Sequence, residues 1–378
     1  MDILQNFGVT DGNLVDQATG FKYPPVTSDK VHIDADLVVY QAAAGTEVDE
    51  LGDVVPLTTA KAKIDRAMEI IEHIRKLAGA ADYHLHTTSP SSTKGDRPFI
   101  AIQKEYQANR RARTEPIEHL KEVRDHLTTL TNSTVHTDRE ADDGLAAAYY
   151  ADNSIIIASK DKDLLMVPGK QVNLDTGEIS RPTDNFGYIA MTEVGKTKKL
   201  VGRGTKFFWA QLLMGDTADN IQGCPCVTKG FLHNFDPVTK LTKLYKNERA
   251  ALGTDLHDNA LRALEVERDT PVKIGPAKAF KILENLNSDA ECFDVVRLAY
   301  KSANAAGHVY THWETGKEVD YVDVLISEMK LLWMRRTGDP EDVLKFLREV
   351  HSEKNKKTRD SDSNTANTKK TGTPLCSV

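Results

Sequence analysis

Nine acids in four short segments carry the chemistry that this 378-residue chain most plainly offers. Asp34 and Asp36 lie in HIDADLVVY, and Glu140, Asp142 and Asp143 in READDGLAAAYY. Asp161 and Asp163 follow the aliphatic run of IIIASKDKDLL, and Asp216 and Asp219 close LLMGDTADNIQG. Taken singly, each has an ordinary reading, because acids favour helix N-termini and Asp often caps a turn after a strand. Four clusters at equivalent ends of apolar elements point further. Carboxylates packed that closely repel and raise one another's pKa unless cations neutralise them. Oxygen-only donors without Cys or His suit Mg²⁺ or Mn²⁺. Two such ions about 4 Å apart activate a water and stabilise the leaving oxygen in phosphodiester cleavage.

The elements that must position these acids follow from periodicity. VHIDADLVVY (31–40) reads as a buried strand, with Asp34 and Asp36 on one face by alternation. Ile64, Met68, Ile71, Ile74 and Leu77 recur at helical spacing within 59–78, and ADYHLHTT (81–88) reads as the next strand. A helix over about 116–130, a short strand at Val135, a helix from near Glu140 and the strand SIIIAS (154–159) complete an alternating pattern. Such alternation predicts an α/β fold, a mostly parallel sheet flanked by helices, whose ligand site lies beyond the carboxyl ends of the strands. GEISRPTDNFGYI and the lysine-rich stretch after it read as a small β excursion. TKFFWAQLLMG (205–215) and much of 273–350 read as helical. Residues 1–30 read as an extension, and the polar tail from 351 to 378 as disordered.

Bulk composition is that of a globular chain, 40% hydrophobic and 28% charged, with no apolar run near the roughly 18 residues of a membrane span. The start, MDILQNFGVTDG, lacks the basic-then-apolar pattern of a signal peptide. Cys224, Cys226, Cys292 and Cys376 form no two spaced pairs, which predicts a reducing, cytoplasmic compartment without a disulfide frame or zinc site. The net charge of −7 argues mildly against a chain-wide attraction to nucleic acid. Its distribution leaves room for a local phosphate-binding surface. Lys104, Arg110, Arg111 and Arg113 cluster in IQKEYQANRRART, and Lys196, Lys198, Lys199, Arg203 and Lys206 in KTKKLVGRGTK, though such runs are most often solvated faces.

HIDADLVVY, EYQANRR, READDGLAAAYY, IIIASKDKDLL, LLMGDTADNIQG and KIGPAKAFKIL, in that order from Val31 to Leu283, resemble the flap endonuclease family of 5′-nucleases, most closely the phage 5′–3′ exonucleases. The resemblance implies a PIN-like α/β domain with a helix–three-turn–helix DNA-binding element. It also implies divalent-metal hydrolysis of phosphodiesters near a DNA 5′ end or flap junction, with an RNA–DNA hybrid or RNA primer as a further substrate. By motif it assigns Asp34, Glu140, Asp142, Asp143, Asp161, Asp163, Asp216 and Asp219 as ligands of two Mg²⁺ or Mn²⁺ ions. The family's Tyr-Lys-Gly-Asn-Arg arch reads Tyr106-Gln107-Ala108-Asn109-Arg110 here. Arg110 is thus the phosphate-clamping residue, Tyr106 faces the DNA, and Lys104 or Arg111 stands in for the absent lysine. The implied division is a nuclease domain over 31–222 with an arch at about 90–130, and a helical DNA-binding region over 223–350. For a phage protein the compartment would be the host cytoplasm.

Two departures bear on the site. The family's acid after the second strand is missing from HLHTTSPSSTKGD, where Thr87, Thr88 and Ser89 stand, and Asp96 is the loop acid that could reach in. The DNA-binding turn has two candidates, GCPCVTKG (223–230) and KIGPAKA (273–279), with 231–272 as an insertion between them. KIGPAKA is the better fit from its residues alone. Gly275 permits a tight turn, Pro276 suits a first helical turn, and Lys273 and Lys278 add charge for a phosphate. Contacts of this kind hold the duplex backbone without reading bases.

Three other readings compete. A haloacid-dehalogenase-type phosphatase would use Asp34 as nucleophile but leaves EADD, SKDKD and YQANRR unexplained. A PIN-type ribonuclease would keep the acids without the hairpin. A non-catalytic structure-specific DNA-binding protein would accommodate the missing acid.

Overall fold

The computed structural model describes residues 7–10, 13–16, 22–27, 29–49, 51–112, 116–195, 197–233 and 270–352. Nearly all of the expected insertion, the tail beyond 352, Arg113, Lys196, Cys376 and the Arg111 side chain lie outside them. A hairpin, β1 (Phe7–Thr10) with β2 (Asn13–Asp16), comes first. There follow β3 (Lys30–Asp34), α1 (Ala35–Ala43) and the hairpin β4 (Thr46–Val48) with β5 (Val54–Pro56). Next are α2 (Ala60–Leu77), β6 (Asp82–Thr88), α3 (Arg97–Ile100), α4 (Leu120–Thr128) and β7 (Ser133–His136). Then come α5 (Ala141–Ala151), β8 (Ile156–Ala158), β9 (Lys170–Gln171), and the hairpin β10 (Tyr188–Val194) with β11 (Thr197–Arg203). The chain continues through α6 (Thr205–Met214), β12 (Val227–Thr228), α7 (Lys229–His233) and β13 (Pro271–Val272). It ends on α8 (Pro276–Leu283), α9 (Asp289–Ala305), α10 (Tyr321–Leu332) and a helix over 342–352.

Five strands form one sheet in the order β7-β6-β3-β8-β9, every neighbouring pair parallel. This is the expected α/β class, and it brings the carboxyl ends of β3, β6, β7 and β8 to one edge. One face carries Val31, Ile33, Leu85 and Ile156 against buried residues of α1, α2 and α4. The other core runs without a break from Leu145 of α5 through Trp209 of α6 to Tyr300 and Trp333. The expected division at 222/223 therefore falls inside one continuous core. No helix among the described residues is long and apolar enough to cross a membrane.

The segment 31–40 corrects the expected strand. The strand stops at Asp34 and a helix begins at Ala35. Asp34 accepts from the Leu37 N–H at 3.2 Å, an N-cap, and the buried positions Ala35, Val38, Val39, Ala42 and Ala43 recur at helical spacing. A run of Ala and Val satisfies both periods locally, so the cap and the tertiary packing decide.

On the sheet face opposite Val31 and Ile33 stands a row of imidazoles. His32 Nδ1 lies 2.9 Å from His86 Nε2, and His86 Nδ1 lies 3.0 Å from His136 Nε2. Gly144 lets α5 lie against this row, since a Cβ there would come 2.1 Å from His136 Nε2.

Candidate active site

The parallel register delivers the acids to one place. Asp34 ends β3, and its second oxygen accepts from the Ser159 hydroxyl at 2.9 Å, just beyond β8. Asp36, in the first turn of α1, accepts from the Thr88 N–H at 3.2 and 3.3 Å at the end of β6. Glu140 is the N-cap residue of α5, and Asp142 lies in that helix's first turn. Asp161 caps a short 3₁₀ turn by accepting from the Asp163 N–H at 2.8 Å. Asp34, Asp36, Glu140, Asp142, Asp161, Asp163 and Asp219 line one cavity of about 370 Å³. Behind it, oxygens of Asp163, Asp216 and Asp219 lie within 4.8 Å of one another.

Electrostatics set this group apart from a solvated face. Burial, and then Asp36, pushes the Asp34 carboxyl up to about 7. Burial raises Asp142 well above the usual carboxylate range, with Asp161, Asp34 and Glu140 adding to the effect. Asp161 and Asp163 are raised in the same way, by burial first and then by neighbouring acids. Asp216 Oδ2 is buried without a hydrogen-bond partner among the described residues. Unpaired carboxylate oxygens in a buried, mutually repelling set are the condition a hard divalent cation relieves. The oxygen-only donors fit Mg²⁺ or Mn²⁺.

Asp143 departs from the expected ligand set. It is fully buried, and Arg97 donates to it twice, at 2.7 and 2.9 Å, while the Arg335 N–H donates at 3.1 Å. Burial alone would raise its carboxyl, but the Arg97 guanidinium overcomes this and holds it below the usual range. Asp143 thus belongs to an internal clamp. Arg97 also reaches Glu140 at 3.1 Å and the Leu331 and Trp333 carbonyls, tying α5 to α10.

In the arch motif, Tyr106 and Arg110 both reach the acids. The Tyr106 hydroxyl donates to Glu140 at 2.9 Å, and Arg110 donates to Asp219 Oδ1 at 2.6 Å. Where the family pattern has lysine, Gln107 donates to Asp219 at 3.0 Å and to Glu140 at 3.3 Å. Its carbonyl oxygen accepts from Lys94 at 2.7 Å, which brings Lys94 Nζ within 3.9 Å of Glu140. Lys104, one of the two expected stand-ins, is exposed, and neither it nor Lys94 lines the cavity. Asp96 is also exposed and stays out of the cavity, whereas Asp36 lines it beside Thr88. The second basic cluster is partly internal. Arg203 donates to the Val167 and Gly169 carbonyls, and Lys206 to those of Glu284 and Leu286.

The two candidate turns prove to be neighbours. β12, in CPCVTKG, pairs antiparallel with β13, which leads into KIGPAKA. Thr228 is buried, and its hydroxyl lies 3.1 Å from Ser302 Oγ and accepts from the Phe231 N–H. Gly275 is the N-cap residue of α8, and a Cβ built on it meets nothing within 4 Å. Lys273 and Lys278 are exposed, with Lys278 Nζ donating to the Lys273 carbonyl at 3.0 Å.

Among known proteins, no family model and no curated sequence matches the chain. Solved structures similar over much of its length include two nucleic-acid complexes. A bacteriophage T5 flap endonuclease, in a pseudo-enzyme–product complex with DNA and metal ions, is 13% identical at a TM-score of 0.36, covering 80% of this chain and 97% of its own. The catalytic core of Rad2 in complex with DNA substrate is 11% identical at a TM-score of 0.29, covering 76% and 92%. Likenesses of this size carry no argument about activity, which rests on the geometry of the acids.

Proposed function

We propose that the chain is a divalent-metal-dependent nuclease that hydrolyses phosphodiesters near DNA 5′ ends, as a 5′–3′ exonuclease and flap endonuclease. The observation that carries this reading is the convergence of carboxylates from four separate segments on one cavity, with Arg110 at its edge. Mg²⁺ or Mn²⁺, two ions in the fullest form of the proposal, would be held by Asp34, Glu140, Asp142, Asp161, Asp163, Asp216 and Asp219. Bound there, the ions would supply an activated water and charge stabilisation of the leaving oxygen.

The chain's own residues do the rest. Arg110 is half exposed, so it can leave Asp219 for the scissile phosphate and clamp it in line. Tyr106 and Gln107 hold Glu140 and Asp219 in place from the arch side. Lys273, Gly275, Lys278 and the positive end of α8 would grip the duplex backbone, making binding salt-dependent and independent of sequence.

Cleavage of 5′-labelled and 3′-labelled flap DNA, nicked duplex and single-stranded RNA in Mg²⁺ tests the reading. It predicts short 5′ products from the flap and duplex substrates. Faster cleavage of the RNA would favour a PIN-type ribonuclease instead. Tight binding to junctions without cleavage in either metal would favour a DNA-binding protein.

A further inference from the structure

We propose that Lys162 is a built-in cation of the acid cage, which holds Asp216 in the metal-free protein and competes with a divalent ion for it. The inference rests on the reading of the cluster as a metal centre. Lys162 Nζ lies 2.6 Å from Asp216 Oδ1, and the Asp216 side chain is wholly buried. The other oxygen, Oδ2, has no hydrogen-bond partner, so Lys162 meets only part of the demand of that carboxylate. Asp163 and Asp219 offer oxygens within 4.8 Å of Asp216, and Asp161 and Asp163 flank Lys162 in the chain. Without a cation these carboxylates would repel.

The two partners differ in freedom. Asp216 is fixed: it also accepts from the Ala218 N–H at 2.8 Å, and its backbone bridges to Ile221. The Lys162 side chain is 47% exposed, so its ammonium can swing to water when a better ligand for Asp216 arrives. A divalent ion seated on the free Oδ2 repels the ammonium held on Oδ1 of the same carboxylate, so the lysine lowers the apparent metal affinity while keeping the cage assembled in its absence. Lys160 offers the contrast. It stands two residues away, and the two lysines line a neighbouring cavity together, but the Lys160 ammonium pairs with Asp175 at 2.5 Å, outside the triad.

Calorimetric titration with Mn²⁺, alongside melting of the metal-free protein, separates this role from that of a plain structural ion pair. Lys162→Met should bind Mn²⁺ about tenfold more tightly, the scale of one charge-assisted hydrogen bond no longer displaced, and should melt lower without metal. Lys162→Arg, which keeps the charge, and Lys160→Met, which removes a neighbouring charge that does not pair with Asp216, should stay near the parent affinity. If Lys162→Met does not fold, Lys162→Gln should show the same tightening. Parent affinity or weaker in the Met variant overturns the proposal, as does equal tightening in Lys160→Met. Absence of Mn²⁺ binding in every protein, parent included, would remove the cage reading itself.

Discussion

Arg97 and Asp143 face each other in a bidentate pair at 2.7 and 2.9 Å, with side-chain exposures of 1% and 0%. Removing one partner of such a pair strands the other charge in the core, at a cost of about 3–5 kcal/mol. Arg97→Met and Asp143→Asn should therefore lower the urea midpoint strongly, by similar amounts with and without Mn²⁺. A metal ligand would behave otherwise. If Asp143→Asn left metal-free stability intact and weakened Mn²⁺ binding, Asp143 would return to the ligand set.

Asp142 and Asp161 predict the opposite sign. Both carboxyls are raised by burial and by neighbouring acids, so the folded state bears the cost of their charge. Asp142→Asn should stabilise the metal-free protein and raise its melting temperature. The same change should slow single-turnover cleavage by at least about 100-fold, as loss of a group acting in the transition state does. Cleavage within a few-fold of the parent would remove Asp142 from the cage.

Glu328 gives stability a dependence on pH. It is 1% exposed, accepts from the Tyr300 hydroxyl at 2.7 Å and from Gln103, and burial pushes its carboxyl up to about 7. The folded pKa lies above the ordinary 4.5, so the native state keeps this proton longer than the unfolded chain. The resulting stabilisation is complete below pH 4.5 and is lost as pH rises through about 7, up to about 3 kcal/mol in all. Glu328→Gln does not titrate and should lack that decline in a series of melts from pH 4.5 to 8. Parallel curves for the two proteins would show that Glu328 ionises normally.

The imidazole row titrates with the reverse sign. Burial first, then neighbouring imidazoles, pushes His86 down to about 2, and burial with His84 lowers His32 to about 4. These rings stay neutral in the fold while the unfolded chain takes up protons near 6.5. Their stabilisation is present above pH 6.5 and is lost as pH falls, through about 4 for His32 and lower still for His86. An NMR titration should find the His86 ring resonances flat from pH 8 to 5. A midpoint near 6.5 would mean that the row is open to water.

Gly275 tests the duplex grip. Its φ of −117° suits any residue and the space beside it is empty, so Gly275→Val should fold as the parent does. Against a phosphate backbone the added side chain would intervene. Duplex binding at fixed salt should weaken, and KM should rise more than kcat falls. Thr228→Val should cost stability instead, because the Thr228 hydroxyl bonds inside the protein. Unchanged duplex binding by Gly275→Val would take α8 out of the interface.

The acids were legible in the sequence because each sits at a local boundary signal, a cap or the end of an apolar run. Asp161 and Glu140 are where those signals placed them. What could not be read depends on contacts distant in the chain. Arg97 meets Asp143 and the carbonyls of residues 331 and 333 across 46, 234 and 236 positions, and nothing local in DRPFI marks it for burial. The alternate histidines of DYHLHTT were visible, but their partners His32 and His136 come only from the parallel register. The choice between two DNA-binding turns dissolved for the same reason. Strands β12 and β13 pair across the insertion, a long-range contact that neither segment announces.

Divalent ions held by these acids should be what cuts DNA. The most direct measurement is single-turnover cleavage of a 5′-labelled flap duplex by the parent and by Asp161→Asn, each in Mg²⁺ and in EDTA. The parent should release a short labelled product in Mg²⁺ alone, with the variant slowed by at least about 100-fold. Cleavage that persists in EDTA, or an Asp161→Asn protein as fast as the parent, would contradict it.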